Sequence, residues 1–379
     1  MHLLSKFRAV VQRDKAPRAR ETGVMFSRFF GKRGQEAKGS DWVIESDDET
    51  ETSSNAEDST FMQNLKLNMS KMIAYTQSAD VKLQREVAEL LANEAVNSDR
   101  QVQIVEYGGL KLLVPLTKST DDDVKRLAAH ALANLSVNSE NQVKMAKEGA
   151  IDLLIILLKS QNEVIQRQAS KAVANMGVNS NNKALIGQAG AIPPLIALAK
   201  TSKLEVKIEA IAALGNLSVN DQNELEIVKE GVLEALEGSA AMALRFLLNF
   251  RESGRRRDRE CANWEELAAQ SARCIRNLTV NPVNREKVID SGVIPVLKEF
   301  ATFSNERISQ QSSKALKNIS GTVESKKKKA AAIEKKKKAL RAKDEEDEAA
   351  AIASDEAAAK EVREKHEAKG IGGGAKDEK

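Results

Sequence analysis

The sequence predicts an all-α solenoid in which one helical unit recurs about six times. The first observation is an asparagine within an apolar, alanine-rich stretch, which returns every 41 residues apart from one interval of 61. The second is a glycine fifteen residues after each of the first five asparagines. Because the asparagine and the glycine keep a constant spacing from each other, the recurring unit is predicted to be one helical repeat of a stack. The asparagines are Asn93, Asn134, Asn175, Asn216, Asn277 and Asn318, and the glycines are Gly108, Gly149, Gly190, Gly231 and Gly292.

The unit from Glu163 to Lys203 shows the predicted elements in order. It opens with EVIQRQASKAVANMGV, whose apolar side chains recur at a spacing near 3.6 and so indicate an amphipathic helix. Asparagine and serine then cap a second helix, which ends at Gly190 because a residue without Cβ takes a left-handed turn at low cost. Pro193 and Pro194 open a third helix, since N–H groups in the first turn lack intrahelical partners. We expect one short helix and two longer helices per unit.

Four segments carry the same motif: HALANLSVNSENQ, KAVANMGVNSNNK, AALGNLSVNDQNE and RCIRNLTVNPVNR. They resemble the armadillo repeat, and this resemblance covers roughly Phe61 to Gly321. The chain is also similar to the vacuolar, plant and protist armadillo-repeat-only proteins. The resemblance implies a right-handed superhelical solenoid that performs no chemistry and binds other proteins through extended segments.

The repeat also predicts the domain organisation. Residues 60–321 form the solenoid, with an insertion at about 237–263 that accounts for the long interval between Asn216 and Asn277. Residues 1–59, basic and then acidic, are expected to be disordered. Residues 322–379 are rich in Lys, Glu and Ala and are expected to be a charged helical or disordered tail.

The N-terminal segment leaves several interpretations open. Residues 1–40 carry basic and apolar side chains, which suits an organelle transit peptide, a membrane-surface segment or a disordered tail. A membrane contact is considered only for this part of the chain. Trp42 stands alone in the acidic stretch that follows, either as a docking motif or within an inert linker. The acidic residues 47–58 are a candidate ligand for the chain's own solenoid.

Composition bounds the compartment and the class of partner. The longest apolar run, Ile151 to Leu158, is far shorter than the about 20 residues of a transmembrane helix. Cys261 and Cys274 are the only cysteines, too few for a disulfide framework, which favours a reducing compartment. We expect the cytoplasm, with the nucleus as an alternative. Nucleic acid is a poor candidate partner, because aromatic residues make up only 3% and the net charge is only +4.

The sequence offers no catalytic or metal-binding pattern. None of the histidines, His2, His130 and His366, lies near a cysteine or paired carboxylates at a metal-ligand spacing. Walker, GxSxG, HExxH and kinase motifs are absent from the sequence. We therefore expect no enzyme activity, no metal site and no cofactor.

The armadillo resemblance implies a peptide-binding groove. In that family the asparagine-bearing helix of each unit lines the concave surface, and the asparagine bonds the main chain of an extended peptide. An amide suits this role because it both donates and accepts. The alternative is that the asparagine bonds the neighbouring repeat. The matching residues here are Asn134, Asn175, Asn216, Asn277 and Asn318.

Basic residues stand on the same helical face as these asparagines. Nuclear import adaptors of the family carry tryptophan four residues before the asparagine, and none of those positions is tryptophan here. The groove is therefore expected to favour acidic segments, unless the charges are solvated or paired with acids on adjacent helices. The basic groove residues are His130, Lys171, Arg273 and Lys314 four positions before the asparagine, and Arg126 and Arg167 eight positions before it.

The insertion adds a second basic element. Its arginines are predicted to form a loop that grips an anionic partner, with a tolerated surface insertion as the alternative. Taken together, the sequence predicts a protein-interaction scaffold or adaptor, with a nuclear import-type adaptor and a ubiquitin-ligase substrate module as rival functions. The loop arginines are Arg251, Arg255, Arg256, Arg257 and Arg259.

Overall fold

The computed structural model describes residues 65–370 except Arg255, and side chains within parts of the last helix are left out. Every regular element in this range is a helix, which confirms the all-α prediction. The predicted disordered segment at residues 1–59 lies outside the described residues. So do the possible transit peptide, Trp42 and the acidic residues 47–58.

The helices follow one another in triplets after α1 (65–76). The first six after it are α2 (Val81–Glu94), α3 (Ser98–Glu106), α4 (Gly109–Thr117), α5 (Asp122–Leu135), α6 (Ser139–Lys147) and α7 (Ala150–Leu158). The next six are α8 (Glu163–Met176), α9 (Ser180–Gln188), α10 (Ile192–Ala199), α11 (Leu204–Leu217), α12 (Asp221–Lys229) and α13 (Val232–Glu252). The last four are α14 (Arg259–Leu278), α15 (Pro282–Asp290), α16 (Ile294–Ala301) and α17 (Glu306–Gly370).

Helix lengths correct one expectation. In the unit that begins at Glu163, the asparagine-bearing helix α8 has 14 residues, whereas α9 has 9 and α10 has 8. Every unit except the one that ends in the extended helix α13 thus has one long helix and two short ones, the reverse of the prediction. The third helix is short because its apolar run ends at Ala199, and polar Lys200, Thr201 and Ser202 follow immediately.

The predicted caps are present. An asparagine begins each first short helix by accepting hydrogen bonds from backbone N–H groups of the first turn, as Asn179 does from Asn181 and Asn182. The glycines after these helices take the left-handed conformation, with φ of +82° at Gly149 and +83° at Gly190. These two residue types fix where one helix ends and the next begins.

Successive long helices pack against each other, α2 on α5, α5 on α8, α8 on α11 and α11 on α14. Their contact faces are rich in buried alanine, including Ala128, Ala131, Ala169 and Ala172, which allows the backbones to approach closely. Larger aliphatic residues such as Leu132 and Leu157 fill the layer beneath. This stacking sets the asparagine-bearing helices side by side.

The insertion lengthens two helices instead of forming a long loop. Helix α13 extends to 21 residues and α14 to 20, with a short connection between them. The predicted basic loop is therefore wrong in part, because Arg251 lies in the last turn of α13 and Arg259 begins α14. Leu247 and Phe250 continue the helical apolar spacing and explain why α13 does not end earlier.

The chain divides into two compact units after Asn318. Helix α17 runs from Glu306 to Gly370, so residues 322–370 of the charged tail are helical and the predicted boundary at residue 321 falls within a helix. Among the described residues, no helix is both long and apolar enough to cross a membrane.

Candidate functional site

The predicted groove asparagines bridge neighbouring repeats. We call Asn134, Asn175, Asn216, Asn277 and Asn318 the asparagine ladder. The Nδ2 of Asn175 donates to Ala133 O at 3.3 Å and to Ser136 Oγ at 3.1 Å. Two others donate to the repeat before them at 2.7 Å, Asn216 to Ala174 O and Asn277 to Gly215 O. The acceptor in each case is the residue just before the preceding ladder asparagine.

The last ladder member bonds in the same way as the middle ones. Asn318 Nδ2 lies 3.5 Å from Arg276 O and 3.1 Å from Thr279 Oγ1 of the preceding repeat. Four of the five amides thus use an N–H on the neighbouring repeat, as the alternative interpretation expects. Each of these contacts uses Nδ2 and none uses the side-chain oxygen Oδ1.

The first two ladder members retain a carbonyl oxygen for a ligand. Asn175 Oδ1 has no hydrogen-bond partner among the described residues. Asn134 Nδ2 lies 3.4 Å from His130 Nε2 within its own helix, and its amide reaches no neighbouring repeat in the described structure. Both residues are half-buried. They can accept a hydrogen bond from the N–H of an extended peptide.

The next two ladder members are fully engaged within the protein. Arg273 NH1 donates to Asn216 Oδ1 at 2.6 Å, so both ends of that amide are bonded. Asn277 is buried, and its Oδ1 accepts from Arg276, including a bond from Nε at 3.1 Å. The asparagine ladder therefore has the same residue at each position, but its members differ in whether Oδ1 is hydrogen-bonded within the protein.

Arg85, Arg126 and Arg167 stand eight residues before successive asparagines, and the first two of them form ion pairs. Arg85 lies 3.1 Å from Asp121 and 3.4 Å from Asp123, and Arg126 lies 3.4 Å from Asp123. Arg167 and Lys171 on α8 have no ion-pair partner within the described range of the chain. The expected alternative of pairing with acids on adjacent helices thus applies to Arg85, whose partner Asp121 caps α5, whereas Arg126 pairs with Asp123 of its own helix. Lys314, which stands four residues before Asn318, is exposed.

The field of this face is positive around α5 and α8. The pKa of His130 is lowered, because burial disfavours the imidazolium and because Lys171 and Arg126 repel a further positive charge. His130 is therefore neutral near pH 7 and can gain charge on acidification.

Sequence reasoning missed two glutamates beside this positive region. Burial raises the pKa of Glu209, opposed by Lys171 and Arg167 and assisted by Glu266. Burial would also raise the pKa of Glu266, but hydrogen bonds from Arg307 and Gln270 outweigh it and the pKa is lowered. The repeat pattern did not single these glutamates out, because the equivalent positions are acidic in only some units, as at Glu86 and Asp123.

A second set of asparagines was also missed. Asn141, Asn182 and Asn223 are buried, and each donates at 2.8 Å to a backbone carbonyl of the preceding repeat, namely that of Gln101, Gln142 or Lys183. We call these three the buried ladder. Each follows an asparagine-ladder residue by seven positions, a spacing that the repeated motif displays openly. Full burial assigns this set to repeat stacking.

Comparison with known proteins gives the family. Residues 97–137, 138–177 and 179–219 each match the model of the armadillo/beta-catenin-like repeat. These three segments of the chain are armadillo repeats. No curated protein matches it.

Solved structures agree with this armadillo-repeat fold. A crystal structure of an engineered protein is 28% identical, with a TM-score of 0.56, and the match covers 66% of this chain and 97% of that one. A designed armadillo repeat protein in complex with the peptide (KR)4 is 25% identical with a TM-score of 0.54, and the match covers 66% of this chain and 98% of that one. A designed armadillo repeat protein for modular peptide recognition, 23% identical with a TM-score of 0.56 and coverages of 65% and 98%, supports the fold alone.

The insertion helps to line an open pocket of about 340 Å³ beside α13 and α14. Its wall combines apolar Leu247, Phe250 and Phe303 with Arg257 and Glu265, which pair at 2.5 Å. Of the predicted anion-gripping arginines, Arg257 is thus already paired. The remaining described ones, Arg251, Arg256 and Arg259, are exposed, and Arg255 lies outside the described residues.

The cysteines of the armadillo repeats are buried free thiols. Burial raises the pKa of Cys261, and it raises the pKa of Cys274 to about 12, so neither sulfur is a thiolate near pH 7. Within the described residues, no group of three or more His, Cys, Asp or Glu side chains could hold a metal ion.

Proposed function

We propose that the protein is a non-catalytic scaffold that binds an extended acidic segment of a partner protein along α5 and α8. The observation that carries this proposal is the basic pair of Arg167 and Lys171, which forms no salt bridge among the described residues, beside the unbonded carbonyl oxygen of Asn175. Glu209 interacts with this pair electrostatically, but burial raises its pKa. The armadillo solenoid supports the broader statement that the protein binds other proteins.

The asparagines and the basic side chains would contact different parts of the bound peptide. Asn134 and Asn175 would bond the peptide main chain without regard to its sequence, because an amide oxygen accepts from any backbone N–H. Arg126, Arg167 and Lys171 would select acidic side chains by charge. A cationic peptide would meet the same charges as repulsion.

The main rival is a basic ligand, as in a nuclear import-type adaptor. The designed armadillo protein that holds (KR)4 favours this alternative by analogy. Against it, the positions four residues before the ladder asparagines carry no tryptophan here. A ubiquitin-ligase substrate module would use the same surface, and the acidic-segment proposal covers its recognition step.

Binding of charged peptides tests the proposal. Fluorescence anisotropy with the full chain would compare a labelled acidic peptide with a labelled lysine-rich import signal of equal length. We expect tighter binding of the acidic peptide, weakened between low and physiological salt, where the screening length falls to about 8 Å. Arg167→Glu with Lys171→Glu should weaken that binding at least about tenfold.

A matched control separates the groove from net charge. Lys229→Glu with Lys287→Glu makes the same change of net charge at two exposed lysines on the short helices α12 and α15, and should leave acidic-peptide binding nearly unchanged. Tighter binding of the lysine-rich peptide would overturn the acidic-segment proposal and favour the import-adaptor alternative.

A further inference from the structure

Arg273 crosses from one repeat to the one before it. Its guanidinium donates to Asn216 Oδ1 at 2.6 Å and to Ala212 O at 3.1 Å, while Nε donates to Gln270 Oε1 at 2.9 Å. The side chain is half-buried and has three protein acceptors, two of them on α11 and one on its own helix α14. It covers the place where a peptide would reach the carbonyl oxygen of Asn216.

A glycine makes room for this guanidinium. The residue just before the ladder asparagine is alanine in the two preceding units, Ala133 and Ala174, but glycine at Gly215. A Cβ at Gly215 would lie 3.2 Å from Arg273 NH2, which is tighter than an ordinary contact, and 3.5 Å from its Cζ, which is ordinary. Gly215 thus replaces the alanine of the two preceding units at the point where it faces Arg273.

The asparagine ladder thus contains residues with a free Oδ1 and residues whose Oδ1 is bonded, by Arg273 at Asn216 and by Arg276 at Asn277. Asn134 and Asn175 keep an unbonded Oδ1, whereas Asn216 and Asn277 have both ends of the amide engaged. A peptide that follows the ladder from Asn134 finds its main-chain acceptors on α5 and α8 and none on α11 or α14.

We infer that Arg273 is a stop residue, which ends the peptide-binding surface after Asn175 and so restricts the protein to short acidic segments. This inference rests on the proposed function, since it names the length of ligand that the same surface reads. Gly215 is the positioning residue that lets the guanidinium occupy Asn216.

Side-chain amide NMR tests the stop directly. Dodecaglutamate would be titrated into the ¹⁵N-labelled full chain, with Asn side-chain signals assigned by substitution. We expect the Asn175 amide to shift and the Asn216 amide to remain in place. In Arg273→Lys, which keeps the charge but cannot span Asn216 and Ala212 together, both amides should shift.

Ligand length gives a second readout. In the unaltered protein, affinity should rise from tetraglutamate to octaglutamate and then level off. In Arg273→Lys the step from octaglutamate to dodecaglutamate should add about fivefold, the gain expected from one further hydrogen bond. Gly215→Ala requires the guanidinium to shift by a few tenths of an ångström while retaining Arg273, so it should weaken the bond to Asn216 and act in the same direction to a smaller extent, even if the lysine variant folds poorly.

The outcomes distinguish the two claims. A shift of Asn216 equal to that of Asn175 in the unaltered protein would overturn the stop while leaving the proposed function intact. No shift of Asn175 in any variant would reject the proposed function, and the stop with it. Equal length dependence in all three proteins would also reject the stop.

Discussion

Single residues of one type serve different purposes in this protein. Asn175 and Asn182 are seven positions apart in one motif, yet Asn182 is buried against Gln142 O while Asn175 keeps an oxygen free. The sequence predicted which residues recur. It could not predict which atoms are engaged, because the partners lie about one repeat away and depend on how the units stack.

A pH prediction follows from His130. Burial, Lys171 and Arg126 lower its pKa, so the ring is neutral at pH 7.5 and gains charge as the pH falls. A bound acidic peptide favours the charged ring, and hence its affinity should rise several-fold between pH 7.5 and 5.5. Peptide anisotropy across this range would measure it, at a pH where the peptide's own carboxyls remain ionised.

Two variants assign that pH dependence. His130→Gln should flatten most of the rise. Glu209, whose pKa is raised by burial, also loses negative charge on acidification and would contribute with the same sign. Glu209→Gln should therefore remove only the lower-pH part. A rise that persists unchanged in His130→Gln would contradict the assignment to the imidazole.

At the scale of the helix, the sequence predicted starts and stops better than lengths. The asparagine caps and left-handed glycines were predicted because each is a local requirement of the backbone. The long α13 was not, since arginines suggested a loop while Leu247 and Phe250 kept a helical apolar face. Stacking of Phe246 on Trp264, with ring centroids 5.1 Å apart, joins α13 to α14 and could not be read from spacing.

Glycine substitutions test the packing of the short helices. A Cβ at Gly187 in α9 would lie 1.9 Å from Asn223 Oδ1, so Gly187→Ala must displace a member of the buried ladder. We expect a loss of about 1–3 kcal/mol in the free energy of unfolding, although alanine is the better helix former. Urea denaturation would measure it.

Gly238→Ala is the matched control. Gly238 lies inside α13 with nothing within 4 Å of the added Cβ, so the same substitution there should stabilise the protein by about 0.5–1 kcal/mol. A stabilising effect at both positions would show that Asn223 moves freely and that the buried ladder is not rigid.

For the whole molecule, the arrangement of charge raises the prospect of competition within the chain. Residues 47–58 are acidic and precede the solenoid in sequence, and the proposed ligand of α5 and α8 is acidic as well. An attached segment competes at a high effective concentration, which lowers the apparent affinity for any ligand added in solution.

Neutralising that segment should therefore strengthen binding. Replacing the acids of residues 47–58 by Asn and Gln should tighten the binding of an unrelated acidic peptide about tenfold in the anisotropy assay. Neutralising the acids of residues 344–348 in the tail changes the net charge by a comparable amount and serves as control. Equal effects of the two changes would indicate bulk charge, with no role for residues 47–58 as a ligand.

The ladder bonds between repeats also bear on how such a chain changes over generations. Asn216 and Asn277 donate only to main-chain carbonyls, which every residue possesses, whereas Asn175 and Asn318 also contact the hydroxyls of Ser136 and Thr279. The junctions therefore depend little on the other side chains of the neighbouring repeat. Duplication or loss of one whole unit would recreate the same bonds at the new seam. Gly215 and Arg273 are the exception, because each is useful only opposite the other. A gene rearrangement that separated Gly215 from Arg273 would remove the contact of Arg273 with Asn216. The same event would lengthen the proposed peptide-binding surface.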